Sequence, residues 1–497
     1  MTKSPSLAAA LERILGPSHV LSDAAACASY AVDEIAPSAV AKPASAEAAA
    51  EIVRFAALEK LALIPCGNRT KLSIGMPPTR YAMALDMTAL NRIAHYDPGD
   101  LTLSVDAGIS SVKLNAALSG HNQFLPLLLP WYSRSTIAGT IASGLHSPLQ
   151  QFYGTARDFL IGAEFIDGTG KLCKSGGRVV KNVTGYDLHK LLIGSLGSLA
   201  VITRLNFRTF PAPIDGSNGF VASFPNAEGA LTLRHAIAES SLTPLTHDIV
   251  SPELAQIFAT RTPSTPEPAV FGGDDRTAAQ SSLPPVGNWF NPHGWHLCAA
   301  FAGTPEVLDR YARELTLLAE RSRATSTTLL DDATRPAFWG RLRESLSLLL
   351  EISPATAIYK ISALPSHHAA LFSDLRQIAD RAQLPHALVA RAGGTIYFAL
   401  LPASISDETT PRISNFADEL FRSISPAVDP AHTYRGHAAL LFAPPKWKRS
   451  RRIPDGGEGQ TLDLWGPPPR DLALMRRLKN AFDPQNILAP GRFAGGI

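Results

Sequence analysis

The chain holds 497 residues, and at roughly 150 residues per domain that length suggests about three domains or two large ones. Its 46 Lys and Arg nearly cancel its 43 Asp and Glu, and a formal net charge of +3 leaves no basic surface of the kind a general nucleic-acid binder needs. With 45% hydrophobic and 18% charged residues, the chain has ample core material and is neither disordered nor fibrous in composition.

The four cysteines, Cys27, Cys66, Cys173 and Cys298, include no CxxC spacing, so ligands for a zinc ribbon, an iron–sulfur cluster or a redox dithiol are missing. They are also too few for a disulfide scaffold, which fits a reducing compartment. The N-terminal MTKSPSLAAALERILGP lacks an apolar core followed by a cleavage site. No run approaches the ~18 apolar residues of a membrane span. These features predict a soluble cytoplasmic protein without a direct membrane span.

In chain order, residues 45–60 read as a helix capped by Ser45, with an apolar stripe of Ile52, Phe55, Ala56 and Leu58. A strand from Ala62 to Pro65 leads into a polar, glycine-bearing loop. Two alternating runs joined at Asp97-Pro98-Gly99-Asp100 read as a hairpin. Ser110 to Leu118 is a capped helix stopped by Gly120. A strand pair spans 159–174 around Asp167-Gly168-Thr169-Gly170, and 199–211 is a strand ended by Pro211. Beyond Pro211, segments 218–224, 296–302, 357–363, 386–391 and 394–400 read as strands, and 227–240, 304–321, 366–383 and 407–424 as helices. That alternation suggests a split β-α-β sheet of the ferredoxin-like kind. The Pro/Gly/Ser-rich stretch 261–288 reads as a long surface loop, and the basic stretch Lys446 to Arg452 as a solvated one. A last helix, Pro469 to Ala481, precedes FDPQNILAPGRF.

Three separated segments carry the chemistry. Pro65-Cys66-Gly67-Asn68-Arg69-Thr70-Lys71-Leu72-Ser73 follows a strand directly, and small turn-forming residues there can aim consecutive N–H groups into one concavity suited to a pyrophosphate. Ser135 to Gly144 (STIAGTIASG), followed by Tyr153-Gly154, has small residues every two or three positions, which lets a flat group lie close against the backbone. Gly176 to Leu188, continuing through Gly194-Ser195-Leu196-Gly197 to Thr203, puts a turn immediately before a buried strand.

Together these segments resemble the FAD-binding domain of the vanillyl-alcohol oxidase superfamily, the PCMH type. They are likewise similar to the FAD-binding subunits of bacterial glycolate oxidases. The loop from Pro65 to Leu72 is similar to a P-x-G-x-G-S/T-K-L pattern, STIAGTIASGL to T-I-G-G-x-x-A-x-G-L, and FDPQNILAPGRF to F/L-D-P-x-x-I-L-N-P-G-R. The resemblance is dense over 38–211 and moderate over 432–497. It implies an α+β fold: a lead-in over 1–37, a PCMH-type FAD-binding domain of two α+β subdomains over 38–213, a ferredoxin-like cap over 214–425, and a C-terminal segment, 426–497, returning to the FAD domain.

The resemblance further implies that residues 65–73 hold the FAD pyrophosphate. Thr136, Gly139, Thr140, Ser143 and Gly144 would contact the isoalloxazine or ribityl arm, with Tyr153, Gly154 and Asp158 beside them. Val201 and Ile202 would meet the adenine side, and Arg492 would return near the flavin or close the domain interface. No histidine stands in the 65–75 loop to tether a flavin, so FAD is expected to be noncovalent. Two departures stand out: Arg69 where related loops have glycine, and Ala489 where the family ending has asparagine.

For catalysis, oxidation of a small 2-hydroxy acid needs a cation for the carboxylate and a base for the hydroxyl proton. Arg391, Arg435, His437 and His146 are the candidates; His367-His368 reads as a helix start. The implied activity is that of a glycolate-oxidase-type subunit. It would work beside a sister flavin subunit and an iron–sulfur subunit, in the cytoplasm or peripheral to the inner membrane through those partners. Two other readings stand: a structural or assembly subunit without flavin chemistry, and a self-sufficient FAD dehydrogenase of another hydroxy acid or alcohol.

Overall fold

A computed structural model describes residues 6–178, 185–213, 216–261, 291–331, 334–424, 434, 436–449 and 464–497. Most of the 261–288 stretch, the basic residues after Arg449 and the candidate Arg435 lie outside the described residues.

The N-terminal half builds two small sheets. In the first, Leu63–Cys66 and Ala39–Ala41 flank Met83–Asp86 in parallel, and Val20–Leu21 closes the edge. The helix Ala46–Leu58, capped by Ser45 Oγ on the Ala48 N–H, lays Ala49, Ile52, Val53 and Ala56 into the same apolar core. The second sheet is antiparallel, in the order Ile93–Asp97, Thr102–Asp106, Val201–Arg208, Leu160–Ile166, Leu172–Gly176. The C-terminus returns to the first sheet: Leu488 bridges Leu63, and Ile487 and Leu488 are fully buried there.

The second half is one eight-stranded antiparallel sheet. Its order is Ser326–Leu330, Ser217–Phe224, Trp295–Ala302, Thr246–Val250, His386–Ala390, Thr395–Leu400, Ala357–Ser362, His437–Phe442. Each set of four follows ferredoxin-like connectivity, two strand–helix–strand units interleaved, and the two sets join edge to edge through Ile249 with Ala390 and Val250 with Val389. The ferredoxin-like cap is therefore a tandem pair. Strand alternation divides the faces. Phe220, Ala222 and Phe224 point to the core under the helices Ala227–Glu239, Pro305–Arg321, His368–Arg381 and Thr409–Ile424. Val221, Ile358, Tyr397 and Leu441 point to a second core that also takes in Ile74, Leu129 and Leu145 of the first half. The sheet's second face therefore packs on the N-terminal half beside the segments singled out above.

In the second half three strands escaped the sequence reading, Thr246–Val250, Ser326–Leu330 and His437–Phe442, and in the first half so did Met83–Asp86, the centre of its parallel sheet, with the short strands Val20–Leu21, Ala39–Ala41 and Gln123–Phe124. The second-half helices Pro252–Thr260, Arg335–Arg343 and Ser345–Leu350 escaped it as well. The basic stretch is also corrected at its start: Pro445–Arg449 is a helix, and Lys448 is buried in an ion pair with Asp33 rather than solvated. Among the described residues, no helix is long and apolar enough to cross a membrane.

Candidate functional site

The loop 65–72, the short helix Ile137–Ser143 and the turn at 196–202 enclose a groove of about 760 Å³, counted to the solvent at its mouth. The loop leaves strand Leu63–Cys66, so its position is fixed by the parallel sheet. Among the described residues, the N–H groups from Gly67 to Leu72 donate to no other group of the chain. Six consecutive unpaired donors in a loop that lines the groove can serve as a nest for an anion. The approach of the walls requires small residues: a Cβ on Gly67 would stand 2.0 Å from Thr136 Oγ1, and one on Gly197 2.9 Å from Pro65 Cγ. Thr136 caps the short helix, accepting from the Gly139 N–H at 3.4 Å. Ala138, Gly139 and Ala142 keep the helix side of the groove flat.

Positive charge collects at the loop. Arg69 adopts φ +63°, the left-handed region, and its guanidinium lies 4.2 Å from the Tyr30 ring centre and 3.9 Å from the Asp86 carboxylate. Lys71 lines the groove and donates to Ser135 Oγ and, at 3.2 Å, to Thr70 Oγ1. The protein packed around it pushes its ammonium down to about 7, against the opposing pull of Glu344. Arg492 closes the groove from behind, with its guanidinium on backbone carbonyls. Burial pushes the Cys66 thiol well up, so it is a neutral thiol at physiological pH.

A second cluster lies just beyond the short helix, where the cap sheet meets it. Lys360 Nζ donates to the Gly144 carbonyl at 2.8 Å and to His146 Nε2 at 3.2 Å. His146 Nδ1 lies 2.8 Å from Thr395 Oγ1, and the His146 N–H donates to the Tyr397 hydroxyl at 2.9 Å. Because an ammonium can only donate, Nε2 is the acceptor and the proton is assigned to Nδ1. Burial, then the charges of Lys360 and Arg391, push His146 down to about 3, so the imidazole is neutral. Burial lowers Lys360 to about 8.

The sequence-predicted residues divide. Pro65, Cys66, Gly67, Asn68, Arg69, Thr70, Lys71, Leu72, Thr136, Gly139, Ser143, Ile202 and Arg492 line the groove together. Ser73 is exposed and turns its carbonyl to Lys448. Thr140 is buried in the short helix and Val201 in the sheet core. Gly144 and Gly154 line a neighbouring cleft with His146. Tyr153 packs edge-on against Phe124 and Phe210, and Asp158 forms a capping box with Thr155. Ala489 does not reach the groove: at φ +43° its methyl is buried with Cys66 and Tyr81. Among the catalytic candidates, Arg391 is committed to Asp248 at 2.6 Å inside the cap, His437 is exposed at a strand start, and His368 is buried against Arg234. Lys360 and the groove's Met87, Ala107, Ala138, Ala142, Leu196, Gly197 and Ala200 were missed as site residues.

Known families fit this architecture in both halves. The FAD binding domain family matches residues 37–176, and the C-terminal domain of FAD linked oxidases matches 218–437 and 467–493. The chain belongs to the FAD-linked oxidase family. It is 37% identical to the glycolate oxidase subunit GlcE of Escherichia coli over 168 residues, 34% of this chain and 47% of that one. The match therefore spans about half that relative's length. Over 458 residues it is 22% identical to the glycolate oxidase subunit GlcD of Bacillus subtilis, covering 92% of this chain and 88% of that one. Its fold matches that of p-cresol methylhydroxylase with a TM-score of 0.71 at 17% identity, covering 97% of this chain and 95% of the other. FAD is the cofactor of this family. The row of unpaired N–H groups, the adjoining cations and the clearance left by Gly67 suit a phosphate-bearing flavin. Among the described residues, no group of three or more His, Cys, Asp or Glu could hold a metal ion.

Proposed function

We propose that the chain is an FAD-dependent subunit of glycolate-oxidase type that oxidises a small 2-hydroxy acid and passes the electrons to partner subunits. The groove wall of six unpaired N–H groups, set one short helix away from the Lys360–His146 pair, carries this reading. The N–H groups of Gly67 to Leu72 would hold the pyrophosphate, Ala138, Gly139 and Ala142 would leave room for the ring, and Ile202 would serve the adenine side. With no base of the tethering kind in the loop and Cys66 protonated, the flavin is held noncovalently.

Bound FAD supplies a two-electron acceptor for hydride from the substrate's C2. The Lys360 ammonium takes the substrate carboxylate. His146 Nε2, neutral and held in orientation by Thr395 and Tyr397, takes the hydroxyl proton. In the free protein the Lys360 charge depresses His146; a carboxylate seated on Lys360 cancels that charge and raises the imidazole's basicity as the substrate arrives.

The similarity to glycolate oxidase subunits supports partner subunits; that these are a sister flavin subunit and an iron–sulfur subunit that accept the electrons is part of the proposal, since none of the four cysteines here has cluster spacing. A cytoplasmic location and the division into a FAD domain over 38–213 and a cap over 214–425, its sheet completed by the strand His437–Phe442 from the returning segment, belong to the same proposal. The noncatalytic reading loses its support: Ala489 is a core residue, and Arg69 folds onto Tyr30 at the groove edge. Anaerobic mixing of the FAD-loaded protein with glycolate and with D-lactate tests the proposal. Bleaching of the flavin band by either acid is expected; a flavin that no 2-hydroxy acid reduces contradicts the assigned activity.

A further inference from the structure

Two buried cations grip the carbonyls that follow the loop lining the groove. Arg492 Nη2 donates to the carbonyls of Leu72 and Ile74, and its Nε to that of Met76 at 3.4 Å. Lys448 Nζ donates to the carbonyls of Ser73 and, at 3.0 Å, Gly75. Every carbonyl from Leu72 to Met76 is thus held, in strict alternation, by one of two side chains. The Lys448 side chain is fully enclosed, 0% exposed, and both carboxylate oxygens of Asp33 neutralise it at 3.0 Å. Its burial therefore carries a charge partner and a full set of acceptors, the condition for a lysine to sit in a protein interior.

A peptide segment whose carbonyls are all held on one side has lost the freedom to turn its planes over. The adjoining run from Gly67 to Leu72 keeps its donors unpaired, and unpaired donors flip or collapse onto nearby acceptors unless the chain is anchored. We propose that Lys448, with Arg492, is a positioning residue that presets the pyrophosphate loop, so that affinity for the phosphates of FAD depends on the helix Pro445–Arg449 far along the chain. The proposal rests on the FAD reading above. Lys448 touches no groove residue with its charge; it acts through the backbone of Ser73 and Gly75, and preorganisation is the form its contribution takes.

The test compares Lys448→Met with the unaltered protein in its affinity for FAD and for riboflavin, which has no phosphate, by quenching of flavin fluorescence. Circular dichroism confirms that both are folded. A loss of about tenfold or more in FAD affinity, with riboflavin changed less than about twofold, is expected for a loop that lost its anchor. Equal weakening of both ligands would assign Lys448 a general structural role and overturn the proposal, as would unchanged FAD affinity. If Lys448→Met does not fold, Lys448→Gln, whose amide still donates to one carbonyl, is measured in the same way, and the same selective loss, smaller in size, is expected. An unaltered protein that binds riboflavin no more weakly than FAD would overturn the pyrophosphate assignment itself, a failure distinguishable from that of Lys448.

Discussion

Replacing Gly67 by alanine puts a methyl carbon 2.0 Å from Thr136 Oγ1, 2.8 Å from its Cγ2 and 2.9 Å from its Cβ. Ordinary contact begins at 3.4 Å, so the loop and the helix cap must separate by roughly 1.4 Å, or Thr136 must rotate away from the Gly139 N–H it caps. Overpacking of this kind costs about 1–3 kcal/mol, and losing a cap adds about 1 kcal/mol. Spent on opening the groove, that cost weakens FAD binding by about 30- to 700-fold. Flavin fluorescence titration reads the loss, and Thr136→Gly supplies the control, because it removes all three clashing atoms and glycine is itself a tolerated cap. The double variant should bind FAD more tightly than Gly67→Ala alone, a coupling of at least about 1 kcal/mol in a double-mutant cycle. Unchanged affinity in Gly67→Ala, or additive losses in the double variant, would refute the close approach of loop and cap as the groove's shape-determining feature.

Three further expectations address the charged residues. Lys360→Met should lower kcat/KM for a 2-hydroxy acid by about 10- to 100-fold, the loss of a charge-assisted contact; in the unaltered protein kcat/KM should fall as pH rises through about 8, where burial leads Lys360 to deprotonate, with no inflection near the usual histidine range because His146 is already neutral. A pH–rate profile flat through that alkaline range would exclude Lys360 as the carboxylate's cation. Asp248→Asn should cost about 3–5 kcal/mol in urea unfolding by leaving Arg391 charged and uncompensated inside the cap; a loss under about 1 kcal/mol would contradict the burial of that pair. Arg69→Gly should leave FAD affinity within about tenfold, since glycine relaxes the φ of +63° while the stacking on Tyr30 is lost, whereas Arg69→Glu should release the flavin by placing an anion at the phosphates. Equal binding by both variants would remove Arg69 from the groove's electrostatics.

What the sequence made legible follows its periodicities and turn residues. The run Phe220 to Phe224 alternates between two apolar cores and reads as a strand from either side. Thr246–Val250 does not, because its interior position holds His247 and Asp248, and Asp248 is tolerated through Arg391 and the Ala392 N–H, both distant in sequence. Ser326–Leu330 is an edge strand with little burial, so its pattern is faint. Pro252–Thr260 did carry a start signal, Ser251 capping Leu254 with Pro252 at the first position, which the reading passed over. At the site, glycine-rich segments marked the groove. Met87, Ala107 and Leu196 contribute shape alone, without a chemical signature. Lys360 was hidden in a strand, AIYKIS, where one lysine resembles a surface residue; only the docking of that face on Gly144 and His146 reveals it. Lys448 was hidden likewise among surface-like basic neighbours, because its partner Asp33 is remote in the chain.

The central claim, a noncovalent FAD in the groove between Gly67 and Ile202, is tested most directly by the visible absorption spectrum of the purified protein before and after acid precipitation. Flavin bands that pass into the supernatant, with none left in the pellet, are the predicted result. A protein that is colourless and takes up no added FAD would contradict the groove's assignment, and bands that stay with the pellet would contradict the noncovalent attachment.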